Sequence, residues 1–282
     1  MIRIELKKAF HNRMLYITLA IAIAIAVFSA VTNIQDYTAM EEMKAGYRYH
    51  ADIPSNPEHE IISTHNRWIG QDTSSMGTSL FYLLLPLLAT LPYSWSYLSE
   101  QHSGYVKNVI TRNERKPYYL AKYVATFLSG AFIIFVPMLL NLVIVSSVIP
   151  AAGPDISYDM YYGLLATDML TSVFYTKPIL FIVLRLIMGS GFAGLIATAV
   201  MGLGQFIKKT VAVLILPFLA LVGLNYLSSF FAGDNLIELS LITLLHGGGL
   251  ATTFPVLAIY VFVLVVMGYG FGVVKAARND VF

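Results

Sequence analysis

Few side chains in this sequence have the types and spacing that catalysis requires. The string from Met188 to Gly191 comes close to the Gly-x-Ser-Gly pattern of serine-type intramembrane proteases, but its first position does not match and no histidine lies in a predicted span to activate Ser190. The string from His246 to Gly249 is similar to an esterase oxyanion-hole motif, yet no Gly-x-Ser-x-Gly nucleophile elbow accompanies it. We therefore predict that the chain is not an enzyme.

Acidic and imidazole side chains gather in one polar stretch without a catalytic or metal-binding order. Glu41 and Glu42 are followed by Arg48 at the wrong spacing for a glutamate-type membrane protease. The chain has no cysteine, which excludes disulfides and thiolate chemistry. No metal site and no bound cofactor are predicted, because the remaining candidates match no standard metal-site spacing. Those candidates are His50, His59, His65, Glu58 and Glu60.

The composition places the chain in a membrane. Of its 282 residues, 57% are hydrophobic and only 12% are charged, so its apolar residues must face lipid or one another. A helix needs about 20 apolar residues to cross the hydrocarbon core. Runs of this kind predict an all-α membrane protein with six transmembrane helices. The runs are Met14 to Ile34, Thr78 to Leu98, Tyr119 to Val148, Pro178 to Phe206, Val211 to Phe231 and Phe254 to Val274.

Charged residues are divided unequally between the two sides that six spans would define. Thirteen of the 18 lysine and arginine residues fall on the side of the N-terminus, whereas twelve of the 16 acidic residues fall on the other. Because short basic loops are retained in the cytoplasm during insertion, we predict a multi-pass protein of a bacterial cell membrane with both termini cytoplasmic. The cytoplasmic bases are Arg3, Lys7, Lys8, Arg13, Lys107, Arg112, Arg115, Lys116, Lys122, Lys208, Lys209, Lys275 and Arg278.

The segments outside the spans differ in character. Residues 35–77 form a long polar loop predicted on the exterior side, and loops of this length are usually functional or partly folded. Residues 233–253 are apolar but broken by glycines and too short to cross and return, which predicts re-entrant short helices on the exterior side. Residues 1–13 predict an amphipathic helix in the inner membrane interface, with anionic lipid near its bases. Its apolar positions include Ile2, Leu6 and Phe10.

The cytoplasmic loop at 100–118 carries a second amphipathic pattern. Its apolar positions at helical spacing are Tyr105, Val106, Val109 and Ile110. Lys107 and Arg112 fall on other faces of the same predicted helix, and Ser103 is a candidate N-cap. A short cytoplasmic helix between two spans is a candidate for force transfer, and the alternative is a basic loop that only determines topology.

This loop and its surroundings resemble the ABC-2 type permeases, the membrane subunits of ATP-driven exporters. The N-terminal interfacial helix, the six spans and the broken apolar segment before the last span are also similar to that family. The resemblance covers essentially the full chain, as a single transmembrane domain over residues 1–282. The residues that carry it between spans two and three are Glu100, Gly104, Lys107, Asn108, Arg112 and Lys122.

The resemblance implies an assembly in which this chain pairs with a second copy or a related permease on two separate ATPase subunits. The segment 103–112 is then a coupling helix that docks into a groove on the ATPase. Because the chain lacks a Gly-x-x-x-x-Gly-Lys-Ser/Thr phosphate loop, ATP and Mg²⁺ are expected on that partner. Membrane lipids are further expected partners, and nucleic acid is not. The implied coupling residues are Glu100, Gly104, Tyr105, Val106, Lys107, Val109, Ile110 and Arg112.

Four residues in the predicted spans are candidates for the transport pathway. Arg185 is one because an unpaired guanidinium is costly in hydrocarbon, so it either faces a pathway, finds a partner or anchors at the interface. Asn141 and Asn225 are candidates for interhelical hydrogen bonds or for contact with the substrate. Tyr82 lines the pathway or dimer interface, or belongs to the aromatic belt.

An ion-gradient-driven secondary transporter or channel is the alternative function. Such proteins commonly use buried carboxylates for coupling, and no aspartate or glutamate lies within the six apolar runs. That pattern favours an external energy source. The aromatic and apolar character of the spans favours export of an amphipathic or hydrophobic compound, such as a peptide, lipid or drug.

Overall fold

The computed structural model describes residues 1–48, 62–112, 114–156, 164, 168–231, 238–246 and 253–278. Within these ranges the regular elements are helices and no strand occurs. Five of the helices are long and apolar enough to cross a membrane. The chain is therefore an all-α membrane protein.

The elements follow one another along the chain as a set of long helices separated by short ones. They are α1 (Ile2–Phe10), α2 (Arg13–Arg48), α3 (Thr64–Arg67), α4 (Met76–Thr90), α5 (Ser96–His102), α6 (Tyr105–Ile110), α7 (Arg115–Ser146), α8 (Thr171–Thr176), α9 (Pro178–Leu203), α10 (Thr210–Phe231), α11 (Leu241–His246), α12 (Phe254–Val265), the π-helical stretch π1 (Val266–Lys275) and α13 (Ala276–Arg278).

Helix α2 is longer than the first predicted span. It does not end near Ile34 but continues to Arg48, for 36 residues in all. At 1.5 Å per residue it is about 54 Å long, which exceeds the roughly 30 Å of the hydrocarbon core. Residues 35–45 contain no glycine or proline and several good helix formers, so nothing in the sequence stops the helix. The prediction of a loop starting at residue 35 is wrong over 35–48.

The second predicted span is not one continuous helix. Helix α4 ends at Thr90, residues 91–95 form turns around Pro92, and α5 begins at Ser96. Pro92 has no N–H to donate to the carbonyl oxygen four residues earlier and its ring clashes with that carbonyl, which accounts for a break directly after Leu91, whose backbone is still helical. At 15 residues, α4 is about 22 Å long, shorter than the hydrocarbon core.

Helices α7 and α9 lie at the centre of the bundle. Helix α7 packs against α2, α4 and α9, and α9 also packs against α12 and π1. Small residues allow these close approaches. A Cβ atom at Gly202 of α9 would lie 2.0 Å from the carbonyl oxygen of Met267, and one at Gly130 of α7 would lie 2.7 Å from the Cβ of Ala197. Larger residues at these glycines would push the helices apart.

The bundle has two ends with different elements. At one end, called the α6 end, the Asn12 side chain donates to the carbonyl oxygen of Pro92, so the start of α2 lies beside the turn that follows α4. At the opposite α3 end, the Ser29 and Thr78 hydroxyls lie 2.8 Å apart, which joins α2 to the first turn of α4. Helices α2 and α4 are therefore antiparallel.

The predicted re-entrant segment is described only in part. Helix α11 supplies one short helix, and the Asn225 side chain of α10 accepts hydrogen bonds from the hydroxyls of Ser240 and Thr243 beside it. Residues 232–237 and 247–252, which include the predicted glycine turn, lie outside the described residues.

Candidate functional site

Four charged side chains from three separate helices meet at the α6 end. They form the ion-pair cluster of Glu5 and Lys8 from α1, Glu100 from α5 and Lys122 from α7. The Lys122 Nζ lies 2.6 Å from Glu100 Oε2 and 3.4 Å from Glu5 Oε2. The Lys8 Nζ lies 3.0 Å from Glu100 Oε1 and 3.0 Å from Glu5 Oε1. The cluster thus joins α1, α5 and α7 through charge.

Lys122 is the centre of this cluster. Its side chain is 0% exposed, and the Glu5 side chain is only 3% exposed. A charged group of this burial is costly unless opposite charges and hydrogen bonds compensate it. Here two carboxylates supply that compensation, so Lys122 depends on Glu5 and Glu100 and they depend on it.

Three tyrosines complete the ion-pair cluster. The Tyr93 hydroxyl donates to Glu5 Oε2 at 2.7 Å, and the Tyr118 hydroxyl donates to Glu100 Oε2 at 2.6 Å. The Lys8 ammonium donates to the Tyr105 hydroxyl at 3.2 Å and lies 4.3 Å from the centre of its ring. Tyr105 is the first residue of α6, so this contact links α1 to α6.

The charge network sets the protonation of its more accessible members. Burial alone would raise the pKa of the Glu100 carboxyl, but the Lys122 ammonium and hydrogen bonds from Lys122, Tyr118 and Lys8 lower that pKa below its usual value. Burial would likewise lower the pKa of Lys8, and its hydrogen bonds with Glu5 and Glu100 raise it instead. Both groups are therefore held in their charged forms.

Helix α6 lies against this cluster with a buried and an exposed side. Val106 is fully buried beside Tyr97, Tyr118 and Tyr119, and Val109 and Ile110 pack against the same group. Lys107 and Arg112 are exposed on the other side. The predicted helix and its apolar face are therefore present, except that Tyr105 is turned toward Lys8 and is largely exposed.

The start of α6 differs from its prediction. Gly104 is the N-cap and has a φ of 72°, in the left-handed region that glycine adopts without strain. The Ser103 hydroxyl does not cap α6, because it donates to the carbonyl oxygen of Glu100 in the preceding helix. Gly104 therefore turns the chain sharply from α5 into α6.

Helix α1 is positioned by its apolar residues as well as by charge. Leu6 and Phe10 pack against Ala9, Tyr93 and Ala125. The Phe10 ring also meets that of Phe132 edge-on, with centroids 5.4 Å apart. Ile2, the third apolar residue predicted for this helix, is 48% exposed.

At the α3 end, a buried irregular segment fills the space between the long helices. Residues 62–75, called the plug, contain α3 and the turns that follow it, and every residue from 62 to 72 is buried. The Trp68 indole packs against Gly70, where a Cβ atom would lie 2.2 Å from the ring. This segment falls within the predicted exterior loop, yet it is part of the core.

Side chains of four helices bind the backbone of the plug. Asn33 of α2 donates to the carbonyl oxygen of Arg67 at 2.9 Å, and Asn141 of α7 accepts from the Ile69 N–H at 2.8 Å. The Arg185 Nε of α9 donates to the carbonyl oxygen of Gly70 at 2.7 Å. The His246 Nε2 of α11 lies 3.1 Å from the carbonyl oxygen of Asp72.

The Asp72 carboxylate organises the junction of the plug with α4. It accepts hydrogen bonds from Asn33, Ser74, Ser75 and Thr78. Burial alone would raise its pKa, but these hydrogen bonds, led by that from Asn33, lower the pKa below its usual value. The ionised carboxylate therefore fixes the plug to the first turn of α4.

The structure brings three of the four predicted pathway residues to the plug. Arg185 and Asn141 bind it directly, and the Tyr82 ring lies 5.1 Å from that of His246. Arg185 is 6% exposed, so it is a buried, hydrogen-bonded residue and not an interfacial anchor. Asn225 lies apart from this group and binds the segment before and within α11.

Sequence reasoning found some of these groups and missed others. It singled out Glu100 and Lys122 but not the buried Glu5, whose signal is a lone acid three residues before Lys8 in a basic amphipathic helix. It also missed the plug, whose residues are polar and carry no periodicity. Among the described residues no group of three metal-ligand side chains occurs, and the histidine candidates other than His65 lie outside them.

Comparison of the chain with protein-family models, with curated proteins and with solved structures finds no match. The geometry of the two ends therefore carries the functional argument.

Proposed function

We propose that this chain is the membrane subunit of an ATP-driven exporter of the ABC-2 type, powered by a separate ATPase that docks at the α6 end. The single observation that carries the proposal is the ion-pair cluster. It connects α6, whose outer side bears exposed basic residues, to the long helix α7 through Glu100 and Lys122. A surface helix tied to a span in this way can transmit a push from a partner.

The proposed topology has six passes, with the α6 end in the cytoplasm. The second pass combines α4, the turn after it and the start of α5 as far as Leu98, because α4 begins at the α3 end and Tyr93 lies at the α6 end beside Glu5. The cytoplasmic orientation rests on the basic residues of this end. Both termini are then inside, and the plug faces the exterior.

The proposed mechanism moves α6 and α7 together. Closure of the ATPase dimer on ATP pushes α6, which contacts Lys8 through Tyr105 and follows Glu100 through the short turn at Gly104. Glu100 holds Lys122, so the displacement reaches the centre of the bundle through α7. The cargo is an amphipathic or hydrophobic compound, and the second permease chain is a copy of this one or a relative.

The ion-gradient alternative draws on one observation, the two carboxylates beside Lys122, of which Glu5 is buried and Glu100 partly buried. Proton coupling requires a carboxylate that gains and loses a proton within the working pH range. Glu100 does the opposite, because Lys122, Tyr118 and Lys8 keep its pKa low. The cluster therefore fits a mechanical link better than a proton site.

The test uses the chain co-expressed with the ABC-type ATPase subunits of its source organism, and the readout is which of them co-purifies with it. Charge reversal in the double variant Lys107→Glu/Arg112→Glu is expected to lower co-purification of the ATPase about tenfold or more, because like charges replace complementary ones at the docking surface. The matched control Lys208→Glu/Lys209→Glu makes the same charge change at exposed positions of the same end and leaves the complex intact.

A second arm separates docking from transmission. The Glu100→Gln variant is expected to retain the ATPase but to lose its stimulation by the permease, since the link to Lys122 is weakened. Val109→Pro, which breaks α6, is expected to lose both. Retention of association and of stimulated ATPase activity in the charge-reversal and proline variants would overturn the proposal, as would transport driven by a proton gradient without nucleotide.

A further inference from the structure

The plug is an unusual way to close one end of a helical bundle. Non-helical backbone at membrane depth is tolerated where protein surrounds it or where it lines an aqueous cavity. Residues 62–72 satisfy the first condition in this structure, because all of them are buried between the long helices. An irregular segment in such a position either is a fixed filler or moves to open a path.

The way in which the plug is held favours movement. Four of its contacts from the helices go to backbone groups of residues 67–72 and come from α2, α7, α9 and α11. Asn33 of α2 and Thr78 of α4 bind the Asp72 carboxylate in addition, so no single long helix carries the plug on its own. A relative shift of these helices breaks several bonds together, and water can replace each of them if the end opens.

Arg185 has the central place among these contacts. Its Nε donates to the carbonyl oxygen of Gly70 in the plug, and its Nη2 donates to the carbonyl oxygen of His246 at 2.9 Å, at the end of α11. One side chain of α9 thus holds both segments that cover the α3 end. Helix α9 packs along α7, the helix that carries Lys122, so the two ends share a central pair of helices.

The hydrogen-bond partners of Arg185 are neutral. The described residues form no ion pair with its guanidinium: the Asp168 carboxylate acts on its charge only from beyond ion-pair distance, and the Asp72 carboxylate is taken by Asn33, Ser74, Ser75 and Thr78. A buried cation is costly and is best stabilised by an anion. The Arg185 charge is therefore stabilised less in this structure than that of Lys122. Water that reaches the guanidinium when the α3 end opens would stabilise the opened state.

We propose that the plug is the exterior gate of the export path and that Arg185 is the residue that positions it in the closed state. This inference rests on the proposed export function, since a gate requires a path and a source of work. The structure then represents the state in which the exterior end is closed. Movement of α9 against α7 breaks the Arg185–Gly70 hydrogen bond and releases the plug.

The absence of cysteine allows a direct test, because one introduced thiol is unique in the chain. His65→Cys places it at a buried plug position whose imidazole Nδ1 has no hydrogen-bond partner. Thr73→Cys is the matched control at an exposed position of the same segment. The measurement is labelling by a membrane-impermeant maleimide applied to the outside of cells that contain the permease and its ATPase.

The gate predicts a nucleotide-dependent result. Thr73→Cys is expected to be labelled from outside in every state, whereas labelling of His65→Cys is slow without nucleotide. Trapping the ATPase with ATP and vanadate is expected to speed labelling of His65→Cys by about tenfold or more, as expected for local opening. Protection of His65→Cys in all states, with stimulated ATPase activity intact, would overturn the gate but leave the exporter proposal standing.

The role of Arg185 is tested in the same assay without nucleotide. Arg185→Met is expected to raise the basal labelling of His65→Cys, and Arg185→Lys to raise it less because an ammonium retains a donor for Gly70 or His246. Ser190→Ala is the control on the same helix, since the Ser190 hydroxyl donates to carbonyl oxygens of α9 itself, at Leu186 and Ile187. Basal labelling that is the same in Arg185→Lys and Arg185→Met as in the parent would refute a positioning role. The lysine variant covers the case in which the methionine variant does not fold.

Discussion

The two ends of the bundle hold their buried polar groups in opposite ways. At the α6 end, charged side chains bind one another, with Lys122 between the carboxylates of Glu5 and Glu100. At the α3 end, side chains bind backbone groups, as Arg185 binds Gly70 and Asn141 binds Ile69, and the buried carboxylate of Asp72 accepts from neutral side chains only. The first arrangement joins helices to one another, and the second holds an irregular segment between helices.

This difference has a consequence for motion. Replacing one member of a buried ion pair leaves an uncompensated charge, so the α6 end behaves as a unit whose members move together. Loss of a side chain that binds backbone leaves only a neutral group without a partner, which costs less. The α6 end is therefore suited to transmit a displacement, and the α3 end is suited to respond to it.

The largest effect is expected from Lys122→Met. The substitution keeps an unbranched side chain but removes the buried cation between Glu5 and Glu100, which leaves only the more exposed Lys8 to compensate both carboxylates. Breaking a buried ion pair of this kind is expected to cost about 3–5 kcal/mol. Thermal unfolding of the purified protein in detergent measures the loss.

A double variant identifies the cause of that loss. In Lys122→Met the carboxylates of Glu5 and Glu100 lack the Lys122 cation. Adding Glu100→Gln removes one of these two negative charges, so the double variant is expected to be more stable than Lys122→Met alone. Additive losses in the double variant would show that packing, and not charge, makes Lys122 important.

A smaller effect is expected from Asn141→Leu at the α3 end. The Asn141 side chain accepts from the Ile69 N–H and donates to the carbonyl oxygen of Ala26, so leucine leaves the buried Ile69 N–H without its acceptor. The Ala26 carbonyl keeps the hydrogen bond of its own helix, α2. The expected destabilisation is about 2 kcal/mol. Asn225→Leu is the control, because Asn225 is half-buried and its partners are hydroxyls that can turn to other acceptors. A loss for Asn141→Leu equal to that of Lys122→Met would contradict the comparison.

Sequence reasoning could find what periodicity and length encode. The long apolar helices are confirmed as helices, and α6 lies where the spacing of Val106, Val109 and Ile110 predicted it. Helix ends were harder to place, because α2 runs on through polar helix formers to Arg48 and the second predicted span breaks near Pro92. A hydropathy profile predicts where a helix leaves the lipid, and it does not predict where the helix ends.

The candidate sites could be predicted only where a residue is anomalous by itself. Arg185 and Lys122 stand out as bases in or beside apolar runs. Glu5 does not, because its burial depends on Tyr93 of the turn after α4 and on Lys122 of α7, both far along the chain. The plug was hidden for the same reason, since its contacts go to backbone groups and leave no pattern in its own side chains.

The smallest loss of stability is expected on acidification, and the two ends of the bundle are expected to lose stability at different pH values. The folded-state pKa of Glu100 lies below its ordinary value of 4.5 and that of Asp72 below 3.8, so each contributes stability above that ordinary value. The contribution is lost as the pH falls through the lowered folded-state pKa. The α6 end should therefore begin to weaken below about pH 4.5, before the α3 end does.

The two tryptophans of the chain make this order measurable. Trp68 lies in the plug, and Trp95 lies in the turn between α4 and α5, where its indole donates to the carbonyl oxygen of Leu91. Acid titration of Trp68→Phe therefore follows the α6 end by fluorescence, and titration of Trp95→Phe follows the plug. The fluorescence of Trp95 is expected to change at a higher pH than that of Trp68. Glu100→Gln is expected to remove this difference in transition pH. A reversed order would mean that the plug, and not the ion-pair cluster, responds first to loss of carboxylate charge.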